Sequence, residues 1–153
     1  MWHRMSITLL LVALLATPTT AQVSARTCRP TAADMLGPFY VAGAPQRDRT
    51  GEGLVVQGVV RSTRECKALS GATLEWWSAN PRGEYDDVHR ATQVTDAEGR
   101  FRYVTDVPGK YPGRPVHLHV RISAPGHAPL VTQIYPKPNE HAMAFEVVLQ
   151  PQS

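Results

Sequence analysis

Tyr111-Pro112-Gly113-Arg114-Pro115-Val116-His117-Leu118-His119-Val120-Arg121-Ile122 is the stretch on which the reading of this chain turns. From Val116 onward apolar and polar side chains alternate with the period of a β-strand. Val116, Leu118, Val120 and Ile122 are therefore expected on one face, and His117, His119 and Arg121 on the other. Two imidazoles at i, i+2 on a strand lie side by side and can reach one metal ion, whereas i, i+1 neighbours would point apart. Pro112 and Pro115 stiffen a turn with Tyr111 at one end and Arg114 at the other. A phenol, a guanidinium and two imidazoles thus gather within a few residues. A solvated strand edge with two unligated histidines gives the same pattern, so the stretch alone leaves both readings open.

On either side of it the chain reads as short strands. Upstream, Leu54 to Val60 is β-branched and alternating, and Thr73 to Ser78 places Leu74 and Trp76 on a face opposite Glu75 and Trp77. Asn80-Pro81-Arg82-Gly83 is a turn, which puts Tyr85 just past a strand end. Asp96-Ala97-Glu98-Gly99 separates Gln93-Val94 from Phe101 to Val104 and predicts a hairpin. Downstream, Leu130 to Tyr135 and Ala144 to Leu149 are further strands. Ala32 to Met35 allows at most one helical turn before Gly37-Pro38, and Phe39-Tyr40 opens an extended arm that runs to Gly53. Its aromatic rings are expected to pack on the core or line a pocket. With no helix of ordinary length after the leader, the expected fold is all-β, a single antiparallel β-sandwich.

The first 21 residues read as a secretory signal peptide, with cleavage after Ala21 or as late as Ala25. Arg4 precedes an apolar run from Ile7 to Ala16, and small residues follow. That run is too short to stay in a bilayer as an anchor, so the mature domain, 22–153, is expected in the periplasm or outside the cell. A short buried helix would leave the basic and Thr-rich flanks unexplained. The formal charge of +3 falls by one with Arg4, and the remaining basic residues are scattered singly, with no stripe for nucleic acid. Cys28 and Cys66 are the two cysteines. In an oxidising compartment they are expected to be joined, stabilising the fold by roughly 4 kcal/mol on the chain-entropy account. Two metal-binding thiolates are the alternative, but neither has Cys or His neighbours nearby.

Tyr85, Tyr111, His117 and His119 are the candidate metal ligands. A tyrosine hydroxyl gives up its proton only reluctantly, so it serves as a ligand mainly for a strongly acidic cation. The donor set therefore favours Fe³⁺ over Zn²⁺ or Ca²⁺. Two phenolates and a hydroxide would also balance three positive charges in a poorly solvated site.

The run from Gly71 to Tyr85, then Thr95-Asp96-Ala97-Glu98-Gly99-Arg100-Phe101, then Pro108 to His119, resembles the intradiol ring-cleavage dioxygenases, the protocatechuate 3,4- and catechol 1,2-dioxygenases among them. The resemblance extends from Gly37-Pro38-Phe39-Tyr40 to the last strand, and the ordered set of blocks is far more specific than any one of them. It implies the prealbumin-like sandwich of that family and a non-haem Fe³⁺ with Tyr85 and His117 as equatorial and Tyr111 and His119 as axial ligands. It further implies that Tyr111 leaves the metal and takes up a proton when substrate binds, and that Arg114, helped by Gln133, stabilises negative charge on the ring. The implied reaction consumes a catechol and O₂ and yields a cis,cis-muconate-type diacid.

Met35-Leu36 stands where the family commonly has Thr-Glu, the link from Tyr111 to Arg114 is short, and the helical dimerisation segment of catechol dioxygenases is missing. Two other readings carry different functions. One is an exported transthyretin-like sandwich that binds carbohydrate or peptide without catalysis, and the other is a degenerate structural homologue. The presence of all four ligand residues weighs against both.

Overall fold

The computed structural model describes residues 28–152, so the expected leader lies outside the described residues. Eight strands follow one another: β1 (Gly53–Ser62), β2 (Thr73–Ala79), β3 (Tyr85–Val94), β4 (Arg100–Asp106), β5 (Leu118–Ser123), β6 (Leu130–Ile134), β7 (Ala142–Ala144) and β8 (Val147–Leu149). Among the described residues none is helical, and no helix is long and apolar enough to cross a membrane.

One sheet has the order β3-β2-β5-β6, antiparallel throughout. In the other, β4 pairs antiparallel with one edge of β1, while β7 and β8 run parallel along its other edge. The C-terminal strand expected as one antiparallel element is thus two short parallel ones. Between them Phe145 packs against the core and keeps a single main-chain bond to Gln57 O (2.9 Å).

Alternation explains the core. Leu74, Trp76, Leu118, Val120 and Ile122 project from the first sheet and Leu54, Val56, Val60, Phe101 and Tyr103 from the second, all at least nine-tenths buried. Each such side chain contributes roughly 1.5–3 kcal/mol of burial. Trp76 stacks on Tyr103 across the two layers (centroids 4.8 Å, 12°).

Two expectations about strand pairing fail. The Asp96–Gly99 turn exists (Gly99 N to Asp96 O, 3.0 Å), but it makes no hairpin: β3 pairs with β2, and β4 pairs with β1 in the opposite sheet. Both strands carry core residues, so the turn carries the chain across the core instead of back along the same sheet. Tyr85 does not follow a strand end but opens β3, opposite Ala79. The β2–β3 turn is tied by Asn80 Oδ1, which accepts from Arg82 N (2.9 Å) and Glu84 N (3.2 Å).

The segment before β1 wraps the sandwich. Ala32 to Met35 is extended, without a helical turn, because its main chain is spent on strands: Thr31 N donates to Val148 O (3.0 Å) and Asp34 N to Val131 O (2.9 Å). The arm then crosses the outer face of the β3-β2-β5-β6 sheet. Arg90 Nη1 holds Phe39 O (2.7 Å), Thr92 N holds Pro45 O (2.8 Å), and Thr50 N reaches Val104 O on β4 (2.9 Å). Its start is fixed by the Cys28–Cys66 disulfide, as the cysteine count predicts.

Candidate metal centre

His119 lies on β5 and faces outward, opposite the core residues Leu118 and Val120, yet it is 3% exposed. The arm supplies the cover. His117, expected inside the strand, sits one residue before β5 and is 6% exposed. Its Nδ1 lies 2.7 Å from Pro115 O, and a carbonyl can only accept. Nδ1 therefore carries the proton, and the lone pair of Nε2 points away from that turn.

Three donor atoms converge here. Tyr85 Oη is 3.2 Å from His117 Nε2 and 3.1 Å from His119 Nε2, and the two Nε2 atoms are 3.1 Å apart. Ligands about 2.1 Å from one cation at angles of roughly 95° are about 3 Å from each other, so the triangle has the dimensions of one face of a coordination shell. Burial, then the neighbouring His117, pull the His119 pKa down to about 4, leaving a neutral imidazole at neutral pH. Burial, then Tyr111, push the Tyr85 phenol above its ordinary value, so a strongly acidic cation is needed to displace its proton. The residues fit the ferric ion implied by their chemistry. Among the described residues no group of three or more His, Cys, Asp or Glu forms another metal site.

Tyr111 joins this cluster by its ring, 5.9 Å from the Tyr85 ring and near-perpendicular to it. The approach depends on two glycines. A Cβ on Gly83 would sit 2.1 Å from Lys110 O, and one on Gly109 would sit 2.3 Å from Pro81 O, so only bare backbone lets the loop before Tyr111 lie on the β2–β3 turn. Arg114 N closes the following turn onto Tyr111 O (3.1 Å). The Arg114 guanidinium then donates to Gln133 Oε1 (2.7 Å), and Gln133 is the direct neighbour of His119 on β6.

Several residues escaped the sequence reading. Phe39 stacks on Tyr85 (4.2 Å, 15°) and Trp77 on His119 (4.8 Å, 7°), which answers where the arm aromatics and the outer face of β2 pack. Tyr135 Oη donates to Asp34 Oδ2 (2.7 Å) and lies 2.9 Å from Gln133 Oε1 and 3.4 Å from Arg114 Nη2. The block Gly37-Pro38-Phe39-Tyr40 was the one available signal for this roof. A cavity of about 520 Å³ elsewhere, lined by Gln57, Phe101 and Arg102, contains none of these donors.

No family model matches the chain. The dioxygenase domain of a dioxygenase carbohydrate-binding protein fusion from Streptomyces sp. SirexAA-E superposes with a TM-score of 0.74 at 32% identity, covering 81% of this chain and 100% of that domain. A catechol 1,2-dioxygenase of Pseudomonas sp. (strain EST1001) is 34% identical over 134 residues, 64% of this chain and 44% of its own length. A chlorocatechol 1,2-dioxygenase of Pseudomonas sp. (strain P51) is 28% identical over 151 residues, 76% of this chain and 60% of its own. The chain thus spans about half the length of these two relatives.

Proposed function

Because this chain belongs to the intradiol ring-cleavage dioxygenase family, we propose that it opens the ring of a catechol between its two hydroxyl-bearing carbons. Both atoms of O₂ are incorporated, and the product is a cis,cis-muconate-type diacid. The observation that carries this reading is the triangle of Tyr85 Oη, His117 Nε2 and His119 Nε2, with Arg114 and Gln133 at its edge. Tyr85, Tyr111, His117 and His119 would hold Fe³⁺, which would supply a Lewis acid that binds the catechol oxygens and draws electron density from the ring.

Each nearby side chain then has a part. Tyr111, half-buried at the mouth, accepts a phenolic proton of the incoming catechol at its Oη. The Arg114 guanidinium faces the negative charge that develops on the ring, and Gln133 Oε1 keeps it aimed. Phe39, flat on Tyr85, shields that phenol from water. Residues 1–21 direct export in this reading, and the Cys28–Cys66 disulfide supports an oxidising destination. N-terminal sequencing of protein recovered outside the cytoplasm checks that assignment.

Tyrosinate on Fe³⁺ gives a broad visible absorption, which is the test. The isolated protein is expected to be coloured and to bleach when iron is stripped. Tyr85→Phe and Tyr111→Phe are each expected to alter the band, while Tyr103→Phe, buried in the core, leaves it intact. Anaerobic catechol should shift the absorption, and admission of O₂ should consume the catechol. A protein that stays colourless after Fe³⁺ reconstitution, or that holds zinc instead, refutes the reading.

A further inference from the structure

We propose that Trp77 is the positioning residue of His119, fixing the plane of that imidazole by stacking where a hydrogen bond fixes His117. The proposal rests on the reading of His119 as a metal donor.

The two histidines are held differently. His117 gives its Nδ1 proton to Pro115 O, the usual way a ligand imidazole is oriented from behind. His119 Nδ1 is buried and has no hydrogen-bond partner of regular geometry among the described residues. The Met35 carbonyl lies close enough to act as an acceptor towards this ring, but it is already taken by Gln133 Nε2 (2.7 Å), and its approach to His119 falls short of regular hydrogen-bond geometry. What confines the ring is the face of Trp77 and the close approach of the arm at Gly37. Trp77 is its cross-strand partner on β2, and the two planes lie 7° apart at 4.8 Å. On the arm side a Cβ at Gly37 would come within 3.1 Å of His119 Cε1.

Trp77 is itself braced. The Tyr40 ring meets it edge-on at 5.1 Å, and Tyr40 Oη donates to Glu75 Oε1 (2.8 Å), whose other oxygen accepts from Arg121. At 2% exposure the indole Nε1–H finds no acceptor among the described residues, a cost phenylalanine would avoid. Its polar atom is unused, so the indole acts through its face.

Trp77→Phe and Trp77→Leu in the full chain separate flatness from bulk. Loaded with Fe³⁺, the Leu variant is expected to lose iron to a chelator about tenfold faster than the parent, and the Phe variant within about threefold of it, the scale on which supporting partners tune a metal site. In the metal-free proteins the His119 Cε1–H resonance should move downfield in the Leu variant as the indole ring current is lost, while Leu118 and Val120 methyl signals stay in place. Should the Leu variant not fold, Trp77→Met takes its part. Iron release unchanged in both variants, or accelerated equally in both, overturns the proposal. A parent that takes up no Fe³⁺ refutes the metal reading instead, and an unmoved His119 resonance in the Leu variant then overturns the stacking role by itself.

Discussion

Arg114 and Gln133 act as one unit: the guanidinium Nη2 donates to the side-chain oxygen of Gln133 at 2.7 Å, while Gln133 stands directly across the strand pair from His119. Arg114→Ala is expected to keep its iron and lower turnover by on the order of a hundredfold, the scale of losing one preorganised charge stabiliser. Gln133→Ala should cost less, since the charge remains and only its aim is lost. Tyr135→Phe should leave the visible band unchanged yet lower turnover, because its hydroxyl touches both residues. Turnover at saturating catechol, normalised to iron content, measures all three.

Gly37 and Gly43 both lie on the arm with positive φ, +73° and +80°. An alanine at either is expected to cost roughly 1–2 kcal/mol in backbone strain. Their surroundings differ, since a Cβ at Gly43 meets nothing within 4 Å whereas one at Gly37 presses on His119. Thermal melts should therefore fall for both, further for Gly37→Ala than for Gly43→Ala, with only Gly37→Ala perturbing the visible band.

His89 is 5% exposed and bridges two carboxylates, Nδ1 to Asp86 Oδ1 (2.8 Å) and Nε2 to Asp106 Oδ2 (2.9 Å). Burial opposes its charge, but the bonds to Asp106 and Asp86 outweigh it and raise the pKa. This contribution is complete below the unfolded value of about 6.5 and is lost as pH rises through the higher folded value. Burial also opposes ionisation of Asp86, yet the bonds from His89 and Asn80 hold its pKa down to about 2. That part is present above an unfolded value of about 3.9 and is lost as pH falls towards 2. The melting temperature of the wild type should decline on going from pH 6 to pH 9, and His89→Gln should flatten the decline.

Cys28 and Cys66 close a loop of 38 residues in sequence separation. Cys28→Ser with Cys66→Ser is expected to lose roughly 4 kcal/mol. Reductant should lower the melting temperature of the parent and leave the double variant unmoved. Two free thiols in protein exported and purified without reductant would contradict the bond.

The sequence made the sandwich core legible because period-two alternation at Leu74 and Trp76 and at Leu118, Val120 and Ile122 has one physical cause, a single buried face. It hid the first half of β3, where Asp86, Asp87, His89 and Arg90 show no such alternation. Those residues serve the His89 clamp and the arm, so both faces are polar. The Asp96–Gly99 turn was visible as a reversal, but a turn does not say which sheet receives the next strand. The motif named Tyr85, His117 and His119, and the fold brings their donor atoms to within 3.2 Å of one another. The roof over them was only half legible: the block Gly37-Pro38-Phe39-Tyr40 announced aromatics that must pack somewhere, but an extended arm has no period to say that Phe39 meets Tyr85 and Arg90 about fifty residues on.

More distant partners set an order of events. The stretch leading into the arm, Thr31 to Met35, is joined to β6 by hydrogen bonds between residues 98 and 100 positions apart, and to β8 across 117. Closing loops of that span is entropically slower than forming the β2–β3 and β5–β6 hairpins that present the donors. The stretch from Thr31 to Met35 is therefore expected to dock after the sheet that presents Tyr85 and His119 has paired, which places the last fastening of the cover at β6 and β8.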